Sequence, residues 1–84
     1  MTEELTKASH EVFILYAKDA PNWSNNPWVS EGNIQPTKEQ RGNLSDLVKK
    51  GFIKIIGDGE GDTYIEFTPK GVEYAARFGC RVDW

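Results

Sequence analysis

The stretch that most constrains the fold of this chain is residues 37–71, where signals for a helix, a helix stop, a β-hairpin and a second helix follow one another without spare residues. Thr37 can cap the unpaired amides of a first helical turn, and Gln40 stands three residues later, as in a capping box. Apolar residues then recur at a spacing of three to four, and Gly51 lies where a left-handed C-cap residue is expected. The sequence predicts a helix over residues 37–50 that ends at this glycine.

The segment after the glycine has the pattern of two strands. Residues 52–56 are apolar and β-branched apart from one lysine, and residues 62–68 alternate apolar with polar side chains. Because strand side chains alternate between faces, Ile65 and Phe67 are predicted to face the core. The residues between the two runs are only glycine and acidic residues, which predicts a turn.

Two further helices complete the predicted fold. Thr68 and Pro69 provide an N-cap and a first-turn proline for a short helix after the hairpin, and Gly79 is expected to end this helix. A first helix is predicted over residues 6–20, where apolar residues share one face. The connection over residues 22–36 is rich in Asn, Ser, Pro and Trp, and at most one helical turn is predicted in it, at residues 28–31. The expected fold class is α+β, with about three helices and a two-stranded hairpin in a single domain that spans the whole chain.

The segment GNLSDLVKKGFIKII followed by TYIEFTPKG resembles winged helix-turn-helix proteins of the MarR and PadR kind. In those proteins the recognition helix ends in a leucine, three variable residues, a glycine and two apolar residues, and the wing returns into a threonine, two variable residues and a glycine. Residues 47–53 and 68–71 match these elements. The resemblance implies a small stand-alone transcriptional regulator of prokaryotic or phage type. It also implies double-stranded DNA binding, with the helix over residues 37–50 in the major groove and the hairpin wing near the backbone.

The charge distribution agrees with the DNA-binding interpretation. Residues 38–57 carry five basic and two acidic side chains, so five minus two gives a local charge of +3 in a chain whose total is −3. Arg41 can pair with guanine and Asn43 with adenine. The predicted DNA contacts are Lys38, Arg41, Asn43, Ser45 and Lys54. The other interpretation is that these side chains only form a solvated face.

An acidic turn and two tryptophans indicate an alternative function. Asp58, Glu60 and Asp62 lie at the wing tip with no basic residue between them, so a phosphate backbone would repel the tip. Trp23 and Trp28 flank a short polar segment, and tryptophan is common at binding hot spots, although loop packing is the other interpretation. The alternative is a protein-interaction winged helix that binds a basic protein surface and modulates a nucleic-acid enzyme or a transcription complex.

No catalytic, metal or cofactor motif is recognisable in the sequence, so neither an enzyme nor a cofactor is predicted. The acidic residues of the turn are spaced like the first ligands of an EF-hand loop, but Thr63 and Pro69 stand where that loop needs glycine and glutamate. No apolar run is long enough to span a bilayer and no leader is recognisable, so a cytoplasmic location without a membrane partner is expected. The lone Cys80 agrees with a reducing compartment. Trp84 leaves a homodimer contact open.

Overall fold

The computed structural model describes residues 5–29, 34–57 and 63–82. The elements in chain order are α1 (Lys7–Asp19), a 3₁₀ turn (Ala20–Trp23), α2 (Lys38–Lys49), β1 (Ile53–Ile56), β2 (Tyr64–Phe67) and α3 (Pro69–Arg77). β1 and β2 form an antiparallel hairpin. The predicted α+β class, with three helices and a two-stranded hairpin, is confirmed, and the layout is consistent with that of a winged helix.

Each of the three α-helices begins at a threonine. Thr37 and Gln40 form the complete capping box: the Gln40 amide donates to Thr37 Oγ1 at 3.1 Å, and the Thr37 amide donates to Gln40 Oε1 at 2.8 Å. The side chains of Thr6 and Thr68 each accept a hydrogen bond from the amide three residues further on. The helix starts predicted from the sequence are confirmed because each depends only on neighbours along the chain.

Helices α2 and α3 both end at a glycine with a left-handed backbone. The φ angles are 82° at Gly51 and 80° at Gly79. After α2, the Gly51 amide donates to the Val48 carbonyl and the Phe52 amide to the Leu47 carbonyl, each at 3.0 Å. This pair of hydrogen bonds defines a Schellman motif, and the amides that follow α3 repeat it. The stops predicted at both glycines are confirmed.

One face of the hairpin packs on the helices. Ile65 is fully buried, and Phe67 is half-buried with its ring edge-to-face against Phe13, 5.6 Å between centroids. Glu66, between them, is exposed. The predicted alternation of the second strand is therefore confirmed. The largest fully buried side chains of the core are Tyr16, Phe13, Phe52, Leu47, Ile53 and Ile65.

At most one helical turn is predicted in the long connection, at residues 28–31, and no helix begins at Trp28. Trp28 forms an antiparallel β-bridge with Tyr64 instead of a helical turn. Two backbone hydrogen bonds of 2.9 Å flank the bridge, donated by the amides of Val29 and Ile65. The connection runs along β2 because the outer edge of that strand carries backbone groups that need partners. Among the described residues of this region, the one helical turn is the 3₁₀ turn directly after α1.

The end of α2 and the start of α3 meet in a close contact, here called the α2–α3 joint, formed by Gly51, Phe52, Thr68 and Gly71. The Thr68 hydroxyl lies within hydrogen-bond distance of two carbonyl oxygens, 2.6 Å from that of Gly51 and 3.0 Å from that of Phe52. The same hydroxyl oxygen accepts from the Gly71 amide at 3.1 Å. A Cβ atom on Gly71 would overlap the Phe52 carbonyl oxygen. The threonine and glycine of the wing motif therefore have a packing role in this chain.

Gly71→Ala is expected to lower the free energy of unfolding by about 1–3 kcal/mol, because the added methyl group must displace the Phe52 carbonyl. Gly42→Ala is a matched control, since a Cβ atom at this other helical glycine meets nothing within 4 Å. The control should raise the free energy of unfolding by about 0.5–1 kcal/mol through helix propensity. Urea unfolding followed by tryptophan fluorescence measures both changes, and shifts of the same sign would contradict the assignment.

Candidate nucleic-acid interface

Four polar side chains line one exposed side of α2, here called the α2 stripe: Lys38, Arg41, Ser45 and Lys49. Their spacing of three, four and four residues brings them to one side of a helix that turns about 100° per residue. The buried leucines of α2 face the core on the other side. The stripe carries three positive charges and no carboxylate. Lys49 is not among the DNA contacts predicted from the sequence, where it counts only toward the positive charge of residues 38–57.

The α2 stripe is held on a helix that is fixed at both ends. The capping box closes its N-terminus, and the Schellman motif closes its C-terminus. Asp46, on another side of α2, forms an ion pair of 3.2 Å with Lys50, so this acidic residue neutralises a lysine outside the stripe. The same carboxylate also interacts electrostatically with Lys49, so it partly offsets the positive charge at the C-terminal end of the stripe.

Asn43 does not share the exposed face with the other predicted contacts. Two residues beyond Arg41, it points about 200° further round the helix. Its Oδ1 atom accepts a hydrogen bond of 3.4 Å from the Ser9 hydroxyl of α1, and its side chain is half-buried. Asn43 therefore belongs to the contact between α1 and α2, and its contact with DNA bases stays a prediction.

The contact between α1 and α2 also lowers the pKa of a carboxyl group. Ser9 is buried, and its hydroxyl lies 2.9 Å from Asp46 Oδ2. This hydrogen bond is the largest cause of the lowered pKa of Asp46, and the neighbouring Lys50 lowers it further. The ionised carboxylate of Asp46 therefore helps to hold α2 against α1.

Lys54 lies on a different element from the α2 stripe. It is exposed on β1, directly opposite Glu66 of β2 in the strand register. A carboxylate directly across the hairpin offsets much of the lysine charge toward a distant phosphate. The structure therefore gives Lys54 a weaker basis as a DNA contact than the residues of α2.

Arg41 lies near the connection that follows α1. Burial raises the pKa of Tyr16 to about 12, and the positive charge of Arg41 acts in the opposite direction. The Tyr16 hydroxyl donates a hydrogen bond of 2.7 Å to the Val29 carbonyl, which fixes the connection against α1.

Both tryptophans of the connection border one open groove, here called the aromatic groove. Trp28 packs edge-to-face on Tyr64 with 6.0 Å between ring centroids. Trp23 is half-buried, and its indole Nε1 donates to Asp19 at 2.9 Å. The groove is lined by Asn22, Trp23, Ser24, Asn26, Trp28 and Tyr64. Strand alternation predicts Tyr64 on the face of β2 opposite to Ile65 and Phe67. It does not predict that Tyr64 lines the groove, because the β-bridge between Trp28 and Tyr64 brings the two rings together.

The other residues of the predicted protein-interaction surface, Asp58, Glu60 and Asp62, lie outside the described residues, as does Trp84. Within residues 5–29, 34–57 and 63–82, no group of three His, Cys, Asp or Glu side chains can hold a metal ion. Among the helices of the same ranges, none is long and apolar enough to cross a membrane.

No protein-family model, no curated protein and no solved structure matches the chain. The resemblance to MarR and PadR winged helices is therefore a hypothesis that depends on the motif at the end of α2 and on the motif at the start of α3.

Ser9→Ala is expected to weaken the dependence of stability on acid. Because the folded-state pKa of Asp46 is lowered, its ionised form adds stability above the unfolded-state pKa of about 3.9, and this stability is lost as the pH falls through the folded-state pKa. The free energy of unfolding is measured from neutral pH into the acid range. Ser45→Ala, at an exposed serine of α2, is the control and should keep the wild-type slope. Identical slopes for the wild type and Ser9→Ala would contradict the role given to this hydrogen bond.

Proposed function

We propose that this protein is a small, non-enzymatic transcriptional regulator that binds double-stranded DNA through the α2 stripe. The observation that carries the proposal is the presence of three cations and a hydroxyl on one exposed side of a single helix. The major groove of DNA is about 12 Å wide and admits an α-helix. Cationic side chains on such a helix release counterions from the phosphates and supply affinity without sequence preference.

The order of residues along the stripe separates phosphate contacts from base contacts. Lys38 and Lys49 lie at the two ends of α2, about 16 Å apart along its axis at 1.5 Å per residue. They are placed to contact phosphates on either side of the groove. Arg41 and Ser45 lie between them, and an arginine can form two hydrogen bonds with the O6 and N7 atoms of guanine. The stripe thus offers positioning contacts at its ends and base contacts at its centre.

Arg41→Ala and Lys38→Ala are each expected to weaken DNA binding and to reduce the slope of log K against log salt by about 1. Arg41→Ala should also relax the preference at one base pair, by about 1–3 kcal/mol if the arginine reads guanine. Lys18→Ala, at an exposed lysine of α1, is the matched control and should change neither quantity. Fluorescence anisotropy with duplex DNA over a salt series measures both. Lack of any salt-dependent binding at low ionic strength would rule out the proposal.

A second candidate function is favoured by the aromatic groove. Trp23 and Trp28 come from the connection and Tyr64 comes from β2, and all three border one open surface. Aromatic residues are enriched at the centres of protein interfaces. Together with the acidic turn that precedes β2 in the sequence, this surface supports a protein-interaction domain that binds a basic partner and modulates a nucleic-acid enzyme or a transcription complex.

The two candidate functions predict opposite effects when Asp58, Glu60 and Asp62 are all replaced by asparagine. If DNA is the partner, the triple variant should bind it more tightly, most visibly at low salt, where screening is weakest. If a basic protein is the partner, the same variant should associate with it more slowly, because charge complementarity acts chiefly on the association rate. Stopped-flow measurements with duplex DNA and with a basic peptide compare the two. Unchanged rates in both assays would show that the acidic turn contributes to neither function.

A further inference from the structure

We propose that the aromatic groove binds the cationic side chain of an arginine or lysine in a basic partner segment. The proposal rests on the second candidate function, for which it names the chemistry of the partner, and it does not depend on DNA binding by the α2 stripe. It is based on the arrangement of the rings, on the carboxylate behind one of them and on the charge of the surroundings.

The rings offer faces that attract a cation. Trp23, Trp28 and Tyr64 are each half-buried, so each keeps part of its surface open to the groove. The ring planes of Trp28 and Tyr64 are inclined by 83°, so these two rings form adjoining walls and not a closed stack. The faces of tryptophan and tyrosine carry negative electrostatic potential, and a guanidinium or ammonium group over them is attracted.

A carboxylate behind Trp23 strengthens this attraction. The Trp23 indole donates to Asp19 Oδ2 at 2.9 Å, and the Asn22 side-chain amide donates to Asp19 Oδ1 at 3.1 Å. Asp19 is only 8% exposed, so water screens its charge weakly. The hydrogen bond fixes the orientation of the indole, and the negative charge adds to the potential of its ring. The indole N–H is occupied by Asp19, which leaves the π face of Trp23 as the part available to a ligand.

The charge around the groove favours a cation over an anion. None of the described residues that line it is basic. Glu66 is exposed on the same face of β2 as Tyr64, but Lys54 lies directly opposite it in the strand register, so this pair adds little net charge. Single-stranded DNA can also stack its bases on tryptophan and tyrosine, but its phosphates need cations, and the described residues that line the groove supply none, while the Asp19 carboxylate lies behind Trp23. Charge complementarity therefore selects a basic peptide.

The connection that carries the two tryptophans is fixed in an unusual conformation. Ser24 and Asn25 have φ angles of 55° and 70°, in the left-handed region that costs most residues conformational energy. The Asn25 amide donates to the Ala20 carbonyl at 2.8 Å, and the Asn26 side-chain amide donates to the Ile65 carbonyl at 3.1 Å. These bonds hold the connection against the sheet. A partner therefore meets rings that are already in place, which reduces the entropy cost of binding.

The test uses the whole chain labelled with ¹⁵N and a ten-residue peptide that alternates arginine with glycine. The matched peptide carries citrulline in place of arginine, which keeps the shape and removes the charge. We expect the arginine peptide to shift the indole N–H signals of Trp23 and Trp28, and the citrulline peptide to bind at least about tenfold more weakly, since a neutral side chain loses the cation–π attraction. Equal binding of the two peptides, or shifts confined to residues outside the groove, would overturn the proposal.

Two variants and one competitor complete the experiment. Trp23→Leu should weaken binding of the arginine peptide, whereas Trp23→Phe, which keeps an aromatic face, should weaken it less. Equal losses would argue against the π interaction, and the shifts in the wild-type chain test the site even if Trp23→Leu folds poorly. A short oligothymidylate that binds the groove more tightly than the peptide would also overturn the proposal. The peptide titration contains no duplex DNA and the Arg41→Ala titration contains no peptide, so the DNA proposal and this one can fail separately.

Discussion

The close contact between Gly71 and the Phe52 carbonyl is the constraint on which the rest of the structure depends. Thr68 caps α3 and at the same time bonds the backbone that leaves α2, so one hydroxyl connects the two helices. Phe52 begins the strand-like segment at this point, with its ring buried against Phe13 and Tyr74. The orientation of the hairpin relative to both helices is therefore fixed by a contact that leaves no room for a side chain on Gly71.

The parts of the fold that the sequence predicts are those governed by neighbouring residues. The capping box of Thr37 and the glycine ends of α2 and α3 need no information from distant residues, and each lies where it is predicted. The path of the connection after α1 could not be predicted in this way. Trp28 pairs with Tyr64 because an unsatisfied strand edge is available in the folded chain, and no local pattern reports that edge.

The candidate sites also combine features governed by neighbouring residues with features governed by distant ones. Lys38, Arg41 and Ser45 could be placed on one face because helical periodicity alone determines it. Asn43 lies off this face by the same periodicity, but its contact with Ser9, 34 residues away in sequence, could not be predicted. Tyr64 was not recognised as a neighbour of the tryptophans for the same reason. The two surfaces carry opposite chemistry, basic on α2 and aromatic with nearby carboxylates at the connection, so binding of DNA and binding of a basic protein need not compete for one surface.

The bridge between Trp28 and Tyr64 also determines the direction in which the sheet can grow. It places the connection along one edge of β2, while β1 occupies the other, so β2 is the central strand of the described sheet. Within the described residues, no strand pairs with the outer edge of β1. Ile55 on that strand is 40% exposed, and Lys54 places a charge next to it. An added strand would have to desolvate this lysine, so the residue predicted to contact DNA also protects the sheet from edge-to-edge association.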